Sequence, residues 1–302
     1  MSALAQGKQK AVKSEHIHAF ERDGLALVKQ ALSPREMDRI EQVFAERLAN
    51  PEKSGGTFER MYTTEEGTVI NSIGNSVDNP LFTGLIRETA IADIASDVLG
   101  GKDIWYQGEQ IWLKEGGRTH RTGWHQDTSY LPVTGSGMVV LWIPLDPLPA
   151  ENVLEIVRGS HKGILYNGSI FDPNDDTVPL YDEADLPRMP DIEANRGAWD
   201  IVSYDMQPGD VLAFHPHCLH GGAPTIPGQR RRTISFRFFD GDAEYRPLPK
   251  IRKGHANSED REKINEQNNT RGFGGLEAGE PASNSPLFRQ VRPWTARESD
   301  QS

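Results

Sequence analysis

The sequence predicts a mainly β protein of the α+β class, with N-terminal helices packed against a jelly roll or β-sandwich. Three observations predict it. Helical periodicity with strong start signals is concentrated in the first hundred residues. From Asp103 onward the pattern changes to short runs rich in Trp, Tyr, Val and Ile. Clusters of Gly, Pro, Ser and Asp separate those runs at close intervals. A length of 302 residues suits one large domain or two small ones, and all-β folds often use it as one. The predicted organisation is a single domain over 1–302: a mainly helical layer at 1–102, a jelly-roll core at 103–248 and an irregular extension at 249–302.

Ser14 to Arg22 reads as a short helix with Ser14 as a possible N-cap and Ile17 and Phe20 on one face. Asp23-Gly24 stops it, and Leu25-Ala26-Leu27-Val28 reads as a strand. Ser33-Pro34-Arg35-Glu36 is a strong helix start, with Ser as cap, Pro in the first turn and Glu at the capping-box position. Ile40, Val43, Phe44 and Leu48 continue that helix towards Asn50-Pro51, and a further helical stretch spans Pro80 to Leu99. Predicted strands follow at 104–112, 124–130, 137–144, 154–157, 201–204, 210–215 and 233–240. There is no internal repeat.

Composition excludes several classes of function. No apolar run approaches the ~20 residues that span a bilayer. The first ten residues lack the apolar core of a secretory signal, and a single cysteine, Cys218, excludes an intramolecular disulfide. A cytoplasmic protein without membrane partners is expected. The net charge of −11 is concentrated: between Asp172 and Glu193 eight acids face one base, Arg188, which places −7 there and −4 elsewhere. Without a basic stripe, nucleic acid is not an expected partner.

The chemistry-bearing motif is His125-Gln126-Asp127. Residues two apart on a strand share a side, so the histidine and the carboxylate can point together. One more histidine from a neighbouring strand would give two nitrogens and one oxygen on one face of a metal. Such a set leaves the opposite face open, as non-haem Fe(II) oxygenases require. A lone His-x-Asp is more often an ordinary surface pair, so a third ligand is needed. His215, His217 and His220 compete for that role after the strand Asp210–Phe214. His220 is preferred because it sits where the strand ends in Gly221-Gly222, leaving His215 and His217 as neighbours of the site. Arg231 could hold a dicarboxylic co-substrate through two parallel hydrogen bonds, although a shifted register would assign this to Arg230 or Arg232. His161, in Gly159-Ser160-His161, reads as a turn residue.

The ordered set Trp124-His125-Gln126-Asp127, Leu141-Trp142-Ile143-Pro144-Leu145-Asp146, Gly159-Ser160-His161-Lys162, Pro208-Gly209-Asp210, Leu219-His220-Gly221-Gly222 and Arg231-Arg232-Thr233 resembles the phytanoyl-CoA dioxygenase family. Each motif alone is weak, whereas their order and spacing together are specific. The resemblance implies a double-stranded β-helix and an oxygenase dependent on Fe(II), 2-oxoglutarate and O₂. It implies His125, Asp127 and His220 as iron ligands and Arg231 as the partner of the distal carboxylate of 2-oxoglutarate. It also places Trp142, Gln110 and Gln126 around the co-substrate. Two positions depart from the pattern: Gly222 stands where some members carry a hydroxyl residue, and no lysine occurs near Asn71 or Ser72.

The implied reaction is hydroxylation, or a related oxidation, of a small organic molecule with release of succinate and CO₂. Related halogenases replace the carboxylate ligand with Gly or Ala, so an intact Asp127 favours hydroxylation. Two alternatives are a cupin-like metalloenzyme that does not use 2-oxoglutarate and a catalytically silent binding module of the same fold. If the acidic segment rims the pocket, its field favours a neutral or cationic substrate over an acyl-CoA. Tyr62, Asn71 and the loop 254–275 are further candidates for substrate contact.

Overall fold

Helix α1 (Ser14–Asp23) ends at Gly24, whose φ of +79° is a left-handed conformation that glycine adopts without strain. In this computed structural model, residues 11–50, 56–64 (backbone), 67–76, 78–116, 121–172, 174–182, 185–225, 228–254, 262, 273 and 275–293 are described. Lys13, not Ser14, is the α1 N-cap, and its backbone N–H donates to His16 Nδ1 at 3.0 Å. After β1 (Leu25–Val28), helix α2 (Pro34–Ala49) begins as predicted. Ser33 Oγ accepts from Glu36 N–H, and Glu36 Oε2 accepts from Ser33 N–H at 2.8 Å.

The stretch expected as one helix from Pro80 to Leu99 is two, α3 (Pro80–Glu88) and α4 (Ile91–Val98). Thr89 Oγ1 donates back to Leu85 O at 2.7 Å, and Ala90 N–H donates to Glu36 Oε1 of α2 at 2.9 Å. Side-chain partners thus replace the helical ladder at the break. The N-terminal layer also contains a hairpin that periodicity did not reveal, β2 (Gly56–Thr64) with β3 (Gly67–Gly74).

The remaining strands are β4 (Ile104–Gly116), β5 (Thr122–His125), β6 (Val133–Thr134), β7 (Met138–Pro144), β8 (Leu154–Val157), β9 (Ile201–Val202), β10 (Val211–Phe214), β11 (His220–Gly222), β12 (Gln229–Asp240), β13 (Glu244–Tyr245) and β14 (Arg289–Arg292). The major sheet runs β1-β10-β7-β12-β4-β3-β2, with β14 also on β4, and the minor sheet runs β5-β11-β8-β9. All the described pairings are antiparallel. This is the double-stranded β-helix with helices on one side. The C-terminal extension is less irregular than expected, because β14 joins the major sheet and Phe273, Ala282 and Phe288 pack with Phe239 and Tyr245. Most of the loop 254–275 and the Tyr62 side chain lie outside the described residues.

Alternation along β12 explains the architecture. Ile234, Phe236 and Phe238 enter the core beneath the helices, with Ile40, Phe44, Leu85, Ile91 and Ile111. Each such side chain contributes roughly 1.5–3 kcal/mol by burial. Arg231, Thr233, Ser235 and Arg237 point the other way, into a cavity between the sheets. A smaller apolar cluster, including Val140, Trp142, Leu212, Phe214 and Ile156, joins the two sheets beside that cavity.

Candidate active site

Strands β5 and β11 pair with His125 opposite His220, and the two imidazole centroids lie 4.1 Å apart. His125 Nδ1 is 2.9 Å from Gly123 O, and His220 Nδ1 is 2.9 Å from Cys218 O. Those carbonyls hold a proton on each Nδ1, which leaves both Nε2 lone pairs available to a metal. Asp127 Oδ1 lies 3.4 Å from His125 Nε2 and 3.7 Å from His220 Nε2. Ligand atoms of all three residues lie within 4.8 Å of one another, the donor set and spacing that suit one divalent ion.

The route to this geometry differs from the sequence expectation. Chain β5 ends at His125, and Asp127 opens a 3₁₀ turn (Asp127–Tyr130), so the turn and not strand alternation brings the carboxylate round. His220 does not end the strand that begins near Asp210. That strand, β10, belongs to the major sheet, and His220 opens β11 of the minor one after a turn through 215–219. Gly221 and Gly222 therefore sit within a strand. A Cβ on Gly222 would lie 3.1 Å from Thr122 Oγ1, so the space of a side chain there is already filled by the threonine.

Asp127 has a partner that sequence reading missed. Arg237 Nη2 donates to Asp127 Oδ2 at 2.9 Å and to Gln110 Oε1 at 2.6 Å, and Gln110 Nε2 donates to Asn71 Oδ1 at 2.8 Å. Oδ2 is thus held by the guanidinium while Oδ1 faces the imidazoles. Burial alone would raise the Asp127 pKa. The charge of Arg237 outweighs it and keeps the carboxyl well below the usual range. The available signal was that Arg237 follows Arg231 at an even spacing on one strand.

Arg231 is buried, and its Nη1 donates to Asn152 O at 2.7 Å and Ala223 O at 3.0 Å. Among the described residues, its Nε has no hydrogen-bond partner and no carboxylate forms an ion pair with it. Burial pushes its pKa down to about 10. By contrast, Arg230 is half exposed near Glu115, and Arg232 pairs with Asp146 at 2.7 Å. Directly across from Arg231, on β4, stands Lys114, whose Nζ reaches Thr122 Oγ1 at 3.3 Å. Burial first, then Arg231 and Arg121, push its pKa well below the usual lysine value. A buried lysine and a hydroxyl are thus present here, supplied by positions 114 and 122 instead of 71 or 72 and 222.

Trp142 lines the same cavity on β7, and Gln110 lines it with its amide engaged by Arg237 and Asn71. Gln126 does not reach it. Fully buried, it donates to Ile164 O and His217 O and accepts from Tyr166 N–H, so it ties two loops together behind the site. That corrects its expected place beside the co-substrate, because the turn after β5 rotates residue 126 away from 125 and 127. His215 and His217 also lie outside the cavity lining, hydrogen-bonded towards Gly135 O and Gly163 O. His161 sits in a 3₁₀ turn near Glu21 O, as a turn residue.

The cavity holds about 1450 Å³ and reaches from Arg231 past the triad to the acidic segment. There Asp172, Asp175, Asp176, Asp191 and Glu193 line it. Much of that charge is compensated: Asp176 pairs with Arg121 at 2.6 Å, Asp175 with Arg188 at 2.6 Å and Glu193 with Arg196 at 3.1 Å.

Residues 20–233 match the family described as phytanoyl-CoA dioxygenase (PhyH). The chain belongs to that family. It is an iron- and 2-oxoglutarate-dependent oxygenase. A probable phytanoyl-CoA dioxygenase of Caenorhabditis elegans is 21% identical over 249 residues, 76% of each chain. The ectoine dioxygenase of Nocardia farcinica is 24% identical over 245 residues, 75% of this chain and 78% of that one. Among solved structures, the non-heme alpha ketoglutarate dependent epimerase SnoN from nogalamycin biosynthesis has a TM-score of 0.63 at 19% identity. The match covers 92% of this oxygenase and 98% of SnoN, and at such identity it shows a shared fold. No helix among the described residues is long and apolar enough to cross a membrane.

Proposed function

We propose that this oxygenase hydroxylates a small organic substrate, consuming 2-oxoglutarate and O₂ and releasing succinate and CO₂. His125 Nε2, Asp127 Oδ1 and His220 Nε2 would hold Fe(II), and Arg231 would take the distal carboxylate of 2-oxoglutarate. Bound iron and co-substrate supply the activation of O₂; the protein orients the reactants and excludes water. Arg237 holds Asp127 through Oδ2, so Oδ1, turned towards the two imidazoles, would be the oxygen offered to the metal. Lys114 and Thr122 flank Arg231, and Trp142 forms the adjoining wall. A carboxylate arriving beside Arg231 would supply a negative charge that the described residues do not provide to it. An intact carboxylate at 127 supports hydroxylation over halogenation. The acids lining the outer cavity, partly offset by arginines, support a neutral or cationic substrate.

The observation that carries this reading is the buried Arg231, without a counter-carboxylate among the described residues, in the same cavity as the His-Asp-His group. Anaerobic addition of Fe(II) and 2-oxoglutarate should produce a weak visible charge-transfer band. Succinate formed against a panel of neutral and cationic small molecules should then identify the substrate, with His125→Ala as the blank. A folded protein that shows no such band overturns the reading.

A further inference from the structure

Among the described residues, only two non-glycine residues have positive φ, Gln30 and Phe171. Gln30 has a local reason: it turns the chain after β1, where its N–H donates to Asp210 Oδ1 at 2.9 Å. Phe171, at φ +58°, lies in the insertion between β8 and β9, where a bulky side chain costs on the order of 1–3 kcal/mol relative to a relaxed backbone. Core packing does not explain it, since Phe171 belongs to none of the apolar clusters and remains half-buried.

Its surroundings hold it in place. Phe171 N–H donates to the fully buried Ser169 Oγ at 2.8 Å. Tyr130 Oη donates to Ser169 O at 3.0 Å and accepts from Ser169 N–H at 2.7 Å, so one tyrosine clamps the loop backbone just before the strained residue. The Tyr130 ring stacks on the Phe171 ring at 5.7 Å and 16°. The Phe171 ring also meets the His125 imidazole edge-on at 5.2 Å and 81°. All three residues line the cavity. The strained backbone thus delivers an aromatic ring to the cavity side of a residue in the His-Asp-His group. Tyr130 lies in the turn that begins with Asp127, so the wall and that carboxylate share a rigid segment.

We propose that Phe171, stacked on Tyr130, is a positioning residue: an aromatic wall against which the substrate rests a flat apolar face while its reacting carbon faces the metal position. The inference deepens the proposed oxygenase reading and rests on it. A cavity of about 1450 Å³ exceeds the ~300–1,000 Å³ that holds a drug-sized ligand, so a ring-bearing substrate fits together with 2-oxoglutarate. Arg231 makes its contacts with Asn152 and Ala223, so removal of the Phe171 ring leaves the co-substrate end intact.

The test uses the full chain, loaded anaerobically with Fe(II) and 2-oxoglutarate, and 2-naphthol as a flat aromatic probe followed by its fluorescence. Phe171→Gly separates ring from backbone, because glycine accepts φ +58° freely. The metal-free variant should melt at or above the wild-type temperature, and its charge-transfer band should titrate with 2-oxoglutarate as in wild type. Binding of 2-naphthol should weaken about two- to thirteenfold, the size of one aromatic contact of ~0.5–1.5 kcal/mol. Phe171→Tyr should restore it. Equal probe binding in wild type and Phe171→Gly would overturn the proposal, as would a clearly lower melting temperature, which would mark the ring as structural. A wild-type protein lacking the band overturns the oxygenase reading, and the wall proposal falls with it.

Discussion

On the helix side of β12, Ile234, Phe236 and Phe238 are closed by other side chains; on the cavity side, Arg231, Thr233, Ser235 and Arg237 are equally buried. Two buried arginines, on opposite sides of the major sheet, make the contrast sharp. Arg47 of α2 meets Glu109 of β4, with Ser72 and Ser76 around it. Its charge is answered by a carboxylate of the same chain. Arg231 has carbonyl partners only, with no counter-carboxylate among the described residues. One face is complete when the chain folds; on the other, the proposed co-substrate would supply the missing charge.

Breaking the cavity side should cost activity before stability. His220→Ala should reduce succinate formation to the level of a protein-free blank while the protein stays folded, as read by circular dichroism. The two arginines then separate the faces. Arg47→Met leaves Glu109 buried without its cation and should destabilise by about 3–5 kcal/mol in urea unfolding. Arg231→Met removes a charge with no counter-carboxylate among the described residues and should change metal-free stability by less than about 1 kcal/mol. Its KM for 2-oxoglutarate should rise on the order of 100-fold, within the range for losing a buried charge pair. Arg230→Ala should leave that KM unchanged, and equal effects at 230 and 231 would reverse the assignment. A milder cut on the helix side, Ile234→Val, should cost about 0.5–1.5 kcal/mol and leave KM alone.

A pH-dependent effect concerns the back of the site. Burial first, then the charges of His161 and His217, push the His215 pKa down to about 4. Phe20 packs against the same ring. The unfolded chain protonates His215 near pH 6.5, so its stabilising contribution is full above that value and is lost as pH falls towards 4. Urea midpoints of the metal-free protein should decline over this window. The decline should shrink in His215→Gln, which can keep both hydrogen bonds; an unchanged slope would assign the effect elsewhere.

Element types near strong local signals were legible. The Ser33–Glu36 capping box, the stop at Gly24 and the alternation of 233–240 each act within a few residues, and each appears in the fold. The residues of the His-Asp-His group were legible for a similar reason, as few residue types supply a metal. Boundaries set by remote partners were not. The break at Thr89-Ala90 depends on Glu36 more than fifty residues away, and the β2–β3 hairpin depends on pairing with β4.

The sequence by itself therefore determined the fold class and the residues with the right chemistry, because composition, periodicity and donor type are local properties, while the resemblance to the family rested on the order and spacing of its motifs. Only the tertiary structure decided how those residues are used. It turned Gln126 away from the cavity, placed Asp127 in a turn, opened β11 with His220, and set Arg237 on Asp127. It also left Arg231 without a carboxylate among the described residues and bent Phe171 onto His125. Each of these depends on which strands become neighbours. The direction of a side chain relative to a partner a hundred residues away is a property of the packed sheets, not of the segment that carries it.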